Sequence, residues 1–122
     1  MNLLRMRGAR GEALAAKHLV AAGYTVEARN WRCATGELDL VCRDGDTLVF
    51  VEVRTVTTDF LDSPLQTIDA AKQRRVALAA EAYVRRNRSE YDGLRFDVVG
   101  VRLEKPPRVE HLENAFTPPW AY

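Results

Sequence analysis

Apolar residues recur at helical spacing near the start of the chain. Residues 8–22, GARGEALAAKHLVAA, therefore predict a first helix. Its predicted buried stripe consists of Ala9, Ala13, Ala16 and Val20, with Leu19 at its edge. Glu12 flanks that stripe, and Gly23 follows the last periodic residue, where the C-terminus of a helix favours glycine.

Alternating apolar and polar residues then predict three strands, at 24–31, 36–42 and 47–54. The dipeptide Asp44-Gly45 predicts a tight turn between the second and third strands, because both central positions of a type I′ turn need a positive φ. The three strands can form an antiparallel meander.

A second helix and one or two further strands complete the pattern. Ser63-Pro64 predicts the start of a long helix that runs to about Asn87, since serine is a good N-cap and proline suits the first helical position. Its predicted buried stripe is Leu65, Ile68, Val76, Ala79 and Tyr83. Residues 94–103 predict a fourth strand and RVEHLENAF a short fifth. The order αβββαβ predicts an α/β fold in which helices flank a mixed sheet.

Length and composition favour one small domain. The 122 residues predict a single domain over 1–122, with its core at about 7–103 and a short strand and irregular tail over 104–122. No apolar run approaches the roughly 20 residues of a membrane span, and no signal peptide is evident, so we expect a cytoplasmic protein without a membrane partner. Cys33 and Cys42 are too few for a disulfide framework and have no zinc-like companions.

Arginine dominates the basic residues, with 15 arginines against 3 lysines. The planar guanidinium donates two hydrogen bonds to a phosphate at once, so clustered arginines favour a nucleic-acid partner. The candidate contacts are Arg7, Arg10, Arg74 and Arg75. The net charge of only +1 does not require such a partner, and a solvated helix surface is the alternative reading.

Three carboxylates, Glu37, Asp39 and Glu52, interrupt the most strand-like part of the chain. The predicted turn pairs Asp39 with Phe50 and Glu37 with Glu52, so Asp39 and Glu52 become diagonal neighbours on one face, about 7–8 Å apart by Cα. Their repulsion favours a cation such as Mg²⁺, which takes one or two carboxylates with water and phosphate oxygens. The alternative is a solvated hairpin face whose acids pair with Arg43 and Arg54.

Lys72 lies in the middle of the apolar stripe of the second helix, about two turns after its predicted start and four residues from both Ile68 and Val76. A lysine at that position either extends its ammonium group to the surface or meets a buried acid. Both a local salt bridge and a cation aimed at the acidic site fit this placement.

The motifs RGARGEALAAKHLVAAGY, RNWRCATGELDLVCRDGDTLVFVEVR, the spaced Pro64 and Lys72, and LRFDVVGV together resemble the YraN-type family of the PD-(D/E)xK nuclease superfamily, relatives of archaeal Holliday-junction resolvases. The resemblance spans about residues 7–102 and implies a restriction-endonuclease-like αβββαβ core. It also implies one or two Mg²⁺ or Mn²⁺ ions and hydrolysis of phosphodiesters in branched or structured DNA.

The resemblance also assigns roles to single residues. Glu12 matches the first-helix glutamate, Asp39 the metal-binding aspartate and Glu52 the glutamate of the E-x-K pair. Arg54 occupies the lysine position of that pair, and Lys72 is a candidate to replace it in space. Glu12, Asp39 and Glu52 are thus the predicted metal ligands, and Arg54 and Lys72 complete the predicted catalytic set.

Three functions remain open on the sequence alone. The first is a Mg²⁺-dependent nuclease, for which a homodimer would suit a two-fold-symmetric junction by analogy. The second is a non-catalytic nucleic-acid-binding module, because arginine at position 54 stays protonated and cannot act as a general base. The third is a protein-interaction domain, suggested by the near-neutral charge and the TPPWAY tail. Asp97 and Glu37 are lesser candidates for the site.

Overall fold

A computed structural model describes residues 3–56 and 68–118, and the side chains of the first helix at residue 6 and from residue 8 onward. Two helices and five strands follow one another within these described ranges. They are α1 (Leu3–Ala21), β1 (Thr25–Cys33), β2 (Gly36–Asp44), β3 (Thr47–Val56), α2 (Ala70–Asn87), β4 (Gly93–Arg102) and β5 (Arg108–Leu112). The predicted Pro64, Leu65 and residues 119–122 lie outside the described ranges, as does the side chain of Arg7.

The five strands form one mixed sheet in the order β1-β2-β3-β4-β5. The β1–β2, β2–β3 and β4–β5 pairs are antiparallel, whereas β3 and β4 are parallel and are connected through the segment that contains α2. The α/β fold class and the αβββαβ order predicted from the sequence are therefore confirmed, and so is the short fifth strand. Neither helix in the described part of the chain is long and apolar enough to cross a lipid bilayer.

Each helix covers one face of the sheet, so the protein has two hydrophobic cores. The core under α2 contains Phe50, Phe96 and Tyr83, among others. The core under α1 contains Leu19, Val51 and further aliphatic residues of the central strands. Because both faces of β3 are buried, its sequence between Leu48 and Val53 is nearly continuous in apolar residues, and Glu52 is the exception.

The helix α1 buries a different face from the one that the sequence predicts. Ala9, Ala13 and Val20 are exposed, whereas the buried stripe follows i, i+4 and i+8 spacing. That stripe consists of Gly11, Ala15 and Leu19, with Ala16 beside it. Alanines on every side gave the apolar pattern little power to select a face. The glycine decides it instead, because a Cβ at position 11 would lie 1.9 Å from Thr55 Oγ1.

The end of α1 agrees with the prediction from Gly23. Its φ is +97°, and its N–H donates to the carbonyl of Val20, while Tyr24 N–H donates to the carbonyl of Leu19. These two bonds form a Schellman motif, in which glycine adopts the left-handed conformation without the steric cost of a Cβ. Tyr24 and Leu19 also share the core under α1, as the hydrophobic contact of this motif requires.

The second helix begins later than predicted. Ile68 and Asp69 precede it, and Asp69 is its N-cap, in an extended conformation and accepting a hydrogen bond from Lys72 N–H. Asp69 satisfies an otherwise unpaired N–H group of the first turn, which explains why the helix starts at Ala70. Lys72 therefore lies in the first turn, rather than two turns into the helix. The described members of the predicted stripe are nevertheless buried: Ile68, Val76, Ala79 and Tyr83.

The turn between β2 and β3 shifts the predicted register by two residues. Asp44 pairs with Thr47 and Val41 with Phe50, so the two turn residues are Gly45 and Asp46. Only Gly45 has a positive φ there, +60°, as in a type II′ turn with glycine at its first central position. The predicted pairing of Asp39 with Phe50 is therefore wrong, because Val41 is the partner of Phe50. A shift of two residues preserves which side chains share a face, so the predicted common face for Asp39 and Glu52 is kept.

Replacing Gly11 by alanine should destabilise the fold by about 2 kcal/mol, because the new Cβ would be forced into the side chain of Thr55. The matched control is Gly8→Ala in the same helix, where a Cβ meets nothing within 4 Å. That change should stabilise by about 0.5–1 kcal/mol, since alanine has the higher helix propensity. Chemical denaturation measures both, and the double variant Gly11→Ala with Thr55→Ala should recover part of the loss. Equal effects of the two glycine changes would contradict a close packing of α1 on β3.

Candidate active site

The site lies where β2 and β3 part. Their ladder runs from Asp44 and Thr47 to Leu40 and Val51. Beyond it, the N–H of Val53 donates to the side chain of Asp39, at 2.8 Å from Oδ2. The carboxylate of Asp39 thus accepts the hydrogen bond that a main-chain carbonyl of β2 would accept if the ladder continued. This bond holds Asp39 against β3.

A rotation of β1 and β2 directs the side chain of Asp39 toward β3. Leu38 and Val41 are three residues apart on β2, yet both pack in the core under α2. Ala28 and Trp31 on β1 show the same odd spacing and pack against the same core. Regular alternation would place each pair on opposite faces of the sheet. Both strands therefore rotate between these residues, where Asp39 lies on β2.

Asn30 is the corresponding residue on β1. The register pairs Arg29 with Leu40 and Trp31 with Leu38, which places Asn30 across from Asp39. Its φ is +49°, a left-handed conformation that asparagine tolerates better than most residues. Its side chain hydrogen-bonds to Glu12 of α1. We did not predict this residue from the sequence, and its one signal was an asparagine inside a strand-like segment, where asparagine is disfavoured.

Glu52 is the second buried acid of the site. It is 4% exposed, shares the α2 side of β3 with Phe50 by alternation, and is hydrogen-bonded to Asp39, which is 8% exposed. Lys72 of α2 reaches the pair, with its Nζ 3.2 Å from Glu52 Oε1. The burial of both acids contradicts the alternative of a solvated hairpin face, and Arg43 binds Glu27 and the carbonyl of Glu90 instead. Of the two placements that the sequence left open for Lys72, the structure shows the contact with a buried acid.

Burial raises the pKa of both acids. For Glu52 the loss of hydration and then the charge of Asp39 raise the pKa to about 7, although Lys72 opposes the shift. Loss of hydration also raises the pKa of Asp39, against the hydrogen bond from Val53 N–H. Two carboxylates in contact cannot both ionise cheaply, so the pair retains a proton well above the ordinary range of either acid.

Glu12 forms an outer part of the same cluster. It is half-buried on α1, and its pKa is raised by burial first and then by the negative charge of Asp39, while the Asn30 hydrogen bond lowers it. The structure therefore brings together four of the predicted site residues: Glu12, Asp39, Glu52 and Lys72. Glu37 does not contact these residues directly. Its side chain points outward and pairs with Arg32 at 3.2 Å.

The predicted basic residues occupy different places. Arg54 follows Glu52 by two residues on β3, half-buried and paired in register with Gly100. Arg74 and Arg75 are exposed on α2, two and three residues after Lys72, and Arg10 is exposed on α1. Arg74 and Arg75 thus lie within about one helical turn of Lys72.

The donor set suits a hard divalent cation. Within residues 3–56 and 68–118, no three histidine, cysteine, aspartate or glutamate side chains already stand together as a metal site. Asp39 and Glu52 nevertheless provide two adjoining buried carboxylates, and Mg²⁺ commonly uses one or two carboxylates and completes its shell with water and phosphate oxygens. The residues present therefore fit Mg²⁺ or Mn²⁺ as a ligand set of two acids, with Glu12 behind Asp39.

Asp97, the other candidate acid, belongs to a separate cluster. It is fully buried and accepts hydrogen bonds from Arg95, from His111 Nε2 at 2.7 Å and from Asn114 N–H. Burial raises the pKa of Asp97, but these donors outweigh it, and the pKa is lowered overall. The geometry is that of a structural aspartate which ties β5 and the following segment to β4.

Comparison with known proteins places this arrangement in a family. The model of "Uncharacterised protein family UPF0102" matches residues 11–101, which include every acid of the cluster. The chain belongs to the UPF0102 family. The YraN-type resemblance is thereby confirmed, and the family is part of the restriction-endonuclease-like superfamily.

Relatives of this UPF0102 chain match it over nearly its whole length. The UPF0102 protein of Geobacter sulfurreducens is 43% identical over 114 residues, covering 92% of this chain and 89% of the relative. The UPF0102 protein of Rhodococcus jostii is 41% identical over 111 residues, covering 89% and 94%. That of Pseudomonas paraeruginosa is 41% identical over 116 residues, covering 92% and 93%.

The raised pKa of Glu52 predicts a stability that falls as the pH rises. The pKa of Glu52 is 4.5 in the unfolded state and about 7 in the folded state. Between these pH values the native state binds more protons than the unfolded state, so the free energy of unfolding decreases as the pH rises through this window. The loss should be about 3 kcal/mol, because each pKa unit between 4.5 and about 7 corresponds to about 1.4 kcal/mol. We expect Glu52→Gln to flatten the profile and to be the more stable protein at pH 8. Denaturation at pH 5, 6, 7 and 8 measures this, and parallel profiles would contradict it.

Proposed function

We propose that this UPF0102 protein is a metal-dependent phosphodiester hydrolase that acts on DNA. The observation that supports it most is the contact between Asp39 and Glu52, buried on neighbouring strands with Lys72 against them. A pair of buried acids with raised pKa values destabilises a fold. Such pairs are concentrated at functional sites, where the function explains why they are kept. The superfamily of the chain favours a nuclease among the functions that such a site could have.

Asp39 and Glu52 would hold the ion, with Glu12 adding negative charge from the outer side. Mg²⁺ bound there would supply Lewis-acid activation of water and of a phosphate oxygen. The protein's part is to hold the two carboxylates side by side and to fix their direction. Val53 N–H anchors Asp39, and the packing of β3 between two cores anchors Glu52.

Lys72 and Arg54 provide the positive charge beside the acids. Lys72 is a compact ammonium at 3.2 Å from Glu52, so it offsets the repulsion of the pair when no cation is present. Its ammonium group would also be available to a phosphate bound to an ion that the acids hold. Arg54 stays protonated, so its role in this proposal is to bind phosphate and not to accept a proton.

The substrate in this proposal is branched or otherwise structured DNA. The resemblance to archaeal junction resolvases supports this choice, and a homodimer would present two sites to a two-fold-symmetric junction. The exposed arginines of α2, Arg74 and Arg75, follow Lys72 directly and suit the phosphates that flank the scissile bond. Arg10, exposed on α1, and Arg7 are the corresponding candidates on the other helix.

Cleavage of junction, flap and single-stranded DNA with Mg²⁺ or Mn²⁺ tests the proposal. We expect Asp39→Asn and Glu52→Asn to reduce the rate at least about 100-fold, because each removes a charged ligand of the ion. Asp46→Asn is the matched control, since it removes one charge from an exposed turn outside the cluster. Cleavage that survives both site variants would overturn the assignment.

Thermal unfolding gives a readout that does not depend on turnover. Mn²⁺ should raise the melting temperature of the wild-type protein and of Asp46→Asn, because an ion that binds only the native state stabilises it. The same ion should leave Asp39→Asn and Glu52→Asn unchanged. Equal stabilisation of all four proteins would locate metal binding elsewhere.

A non-catalytic nucleic-acid-binding module is the second candidate function. Arg54 favours it, because it occupies the lysine position of the E-x-K pair and cannot lose a proton. In that case the protein binds DNA in a salt-dependent manner, as phosphate contacts release counterions, but does not cleave it.

The substitution Arg54→Lys separates the two functions. Restoring lysine should raise the cleavage rate at least about tenfold, because a lysine can shift its pKa and assist proton transfer. A gain from an inactive wild-type protein would favour the binding module. Cleavage by the wild type that does not improve in Arg54→Lys would show that position 54 does not limit the reaction, and that Lys72 suffices.

A further inference from the structure

Basic residues outnumber acidic ones on α2 and on the edge strand β1, as they also do on α1. Together these two elements carry seven basic and two acidic residues, whereas the whole chain has a net charge of only +1. The remainder of the chain is therefore net negative. Because β1 is the first strand of the sheet order, one of its long edges has no neighbouring strand among the residues that the structure describes. This side of the molecule is electrostatically suited to a polyanion.

An aromatic side chain lies within this positive region. Trp31 on β1 is half-buried, and the guanidinium carbon of Arg86 lies 5.4 Å from the centroid of its ring. Tyr83 contacts the indole edge-to-face, with the centroids 5.3 Å apart, and so fixes the orientation of the ring. The chain thus presents a rigid indole with a planar cation above it.

Trp31 is close to the acids of the active site along the sheet, whereas Arg86 lies about 21 Å from Lys72 along the axis of α2. Trp31 pairs in register with Leu38, which directly precedes Asp39, and it follows Asn30, which contacts Glu12. Farther along the same side, a Cβ at Gly36 would lie 3.2 Å from the backbone carbonyl of Arg75, so α2 and the start of β2 touch there. A nucleic-acid strand that follows the positive side would pass Trp31 on its way to the acids.

We propose that Trp31 and Arg86 form a stacking platform for an unpaired base of a single-stranded nucleic-acid segment. Every base offers a π-face, and both an indole and a guanidinium plane stack on it without reading sequence. A continuous duplex hides those faces, so the platform selects a strand with unpaired bases. This deepens the proposed function and rests on it for the identity of the ligand, because it adds an unpaired segment beside the scissile bond to the substrate.

Fluorescence of Trp31 tests the platform without cleavage. The chain has two tryptophans, so Trp120→Phe leaves Trp31 as the single one. Titration with a 20-nucleotide oligothymidylate in EDTA should quench its emission, because stacking on a base quenches indole. A blunt 20-base-pair duplex should quench it far less at equal occupancy. No quenching on binding of the oligothymidylate would overturn the platform.

Two pairs of variants separate stacking from packing and from charge. Trp31→Leu should bind oligothymidylate about 5- to 100-fold more weakly, the range expected from the loss of one stacked base, whereas Trp31→Phe should lose less. Arg85→Ala and Arg86→Ala remove the same charge from one helix turn, but only Arg86 lies over the indole. Both changes should reduce the salt dependence of oligothymidylate binding by the same amount. Only Arg86→Ala should also diminish the quenching of Trp31 emission.

The outcomes distinguish this inference from the proposed function. Cleavage that depends on Asp39 and Glu52, together with unaltered binding by Trp31→Leu and Arg86→Ala, would reject the platform and leave the nuclease. Quenching of Trp31 in a protein that never cleaves would support the platform on a binding module. Arg86→Ala removes a surface side chain, so the test remains decisive even if Trp31→Leu unfolds the protein.

Discussion

Two carboxylates buried side by side impose the main constraint on this fold. Removing Asp39 and Glu52 from water is unfavourable, and placing them in contact adds repulsion. The structure offsets this cost locally with the N–H of Val53 for Asp39, the ammonium of Lys72 for Glu52 and a retained proton between the acids. Each of these requires a departure from regular structure nearby. The divergence of β2 from β3 and the left-handed Asn30 are such departures.

The two helices supply what the strands cannot. Gly11 allows α1 to approach β3, and the residue after it, Glu12, joins the acidic cluster. Asp69 caps α2, and this fixes the first turn so that Lys72 meets Glu52. Both helices rest on extensive apolar cores, which hold the polar residues at fixed distances. Stability built into the cores thus supports a site that destabilises the fold, a common balance in enzymes.

Asp97 shows how the surroundings of a buried acid decide its role. It is at least as buried as Asp39 and also lies in the central sheet. Donors from three separate residues surround it, so its pKa is lowered and the ionised form is fully satisfied. Asp39 and Glu52 face each other with fewer donors, and their pKa values are raised. The first arrangement stabilises a structure, whereas the second leaves oxygens that a cation can bind.

The sequence by itself determined the order of elements, the positions of the strands and the common face of Asp39 and Glu52, because side-chain alternation and turn residues are local properties. It did not determine the buried face of α1, the start of α2 or the register of the hairpin. Those depended on one close contact at Gly11, on a cap at Asp69 and on a turn centred on Gly45 and Asp46, none of which apolar periodicity encodes. The contact between Asp39 and Glu52 and the part played by Asn30 were decided by tertiary structure alone. They arise where two strands rotate and separate under the packing of both helices, and such a distortion depends on contacts between residues far apart in the chain.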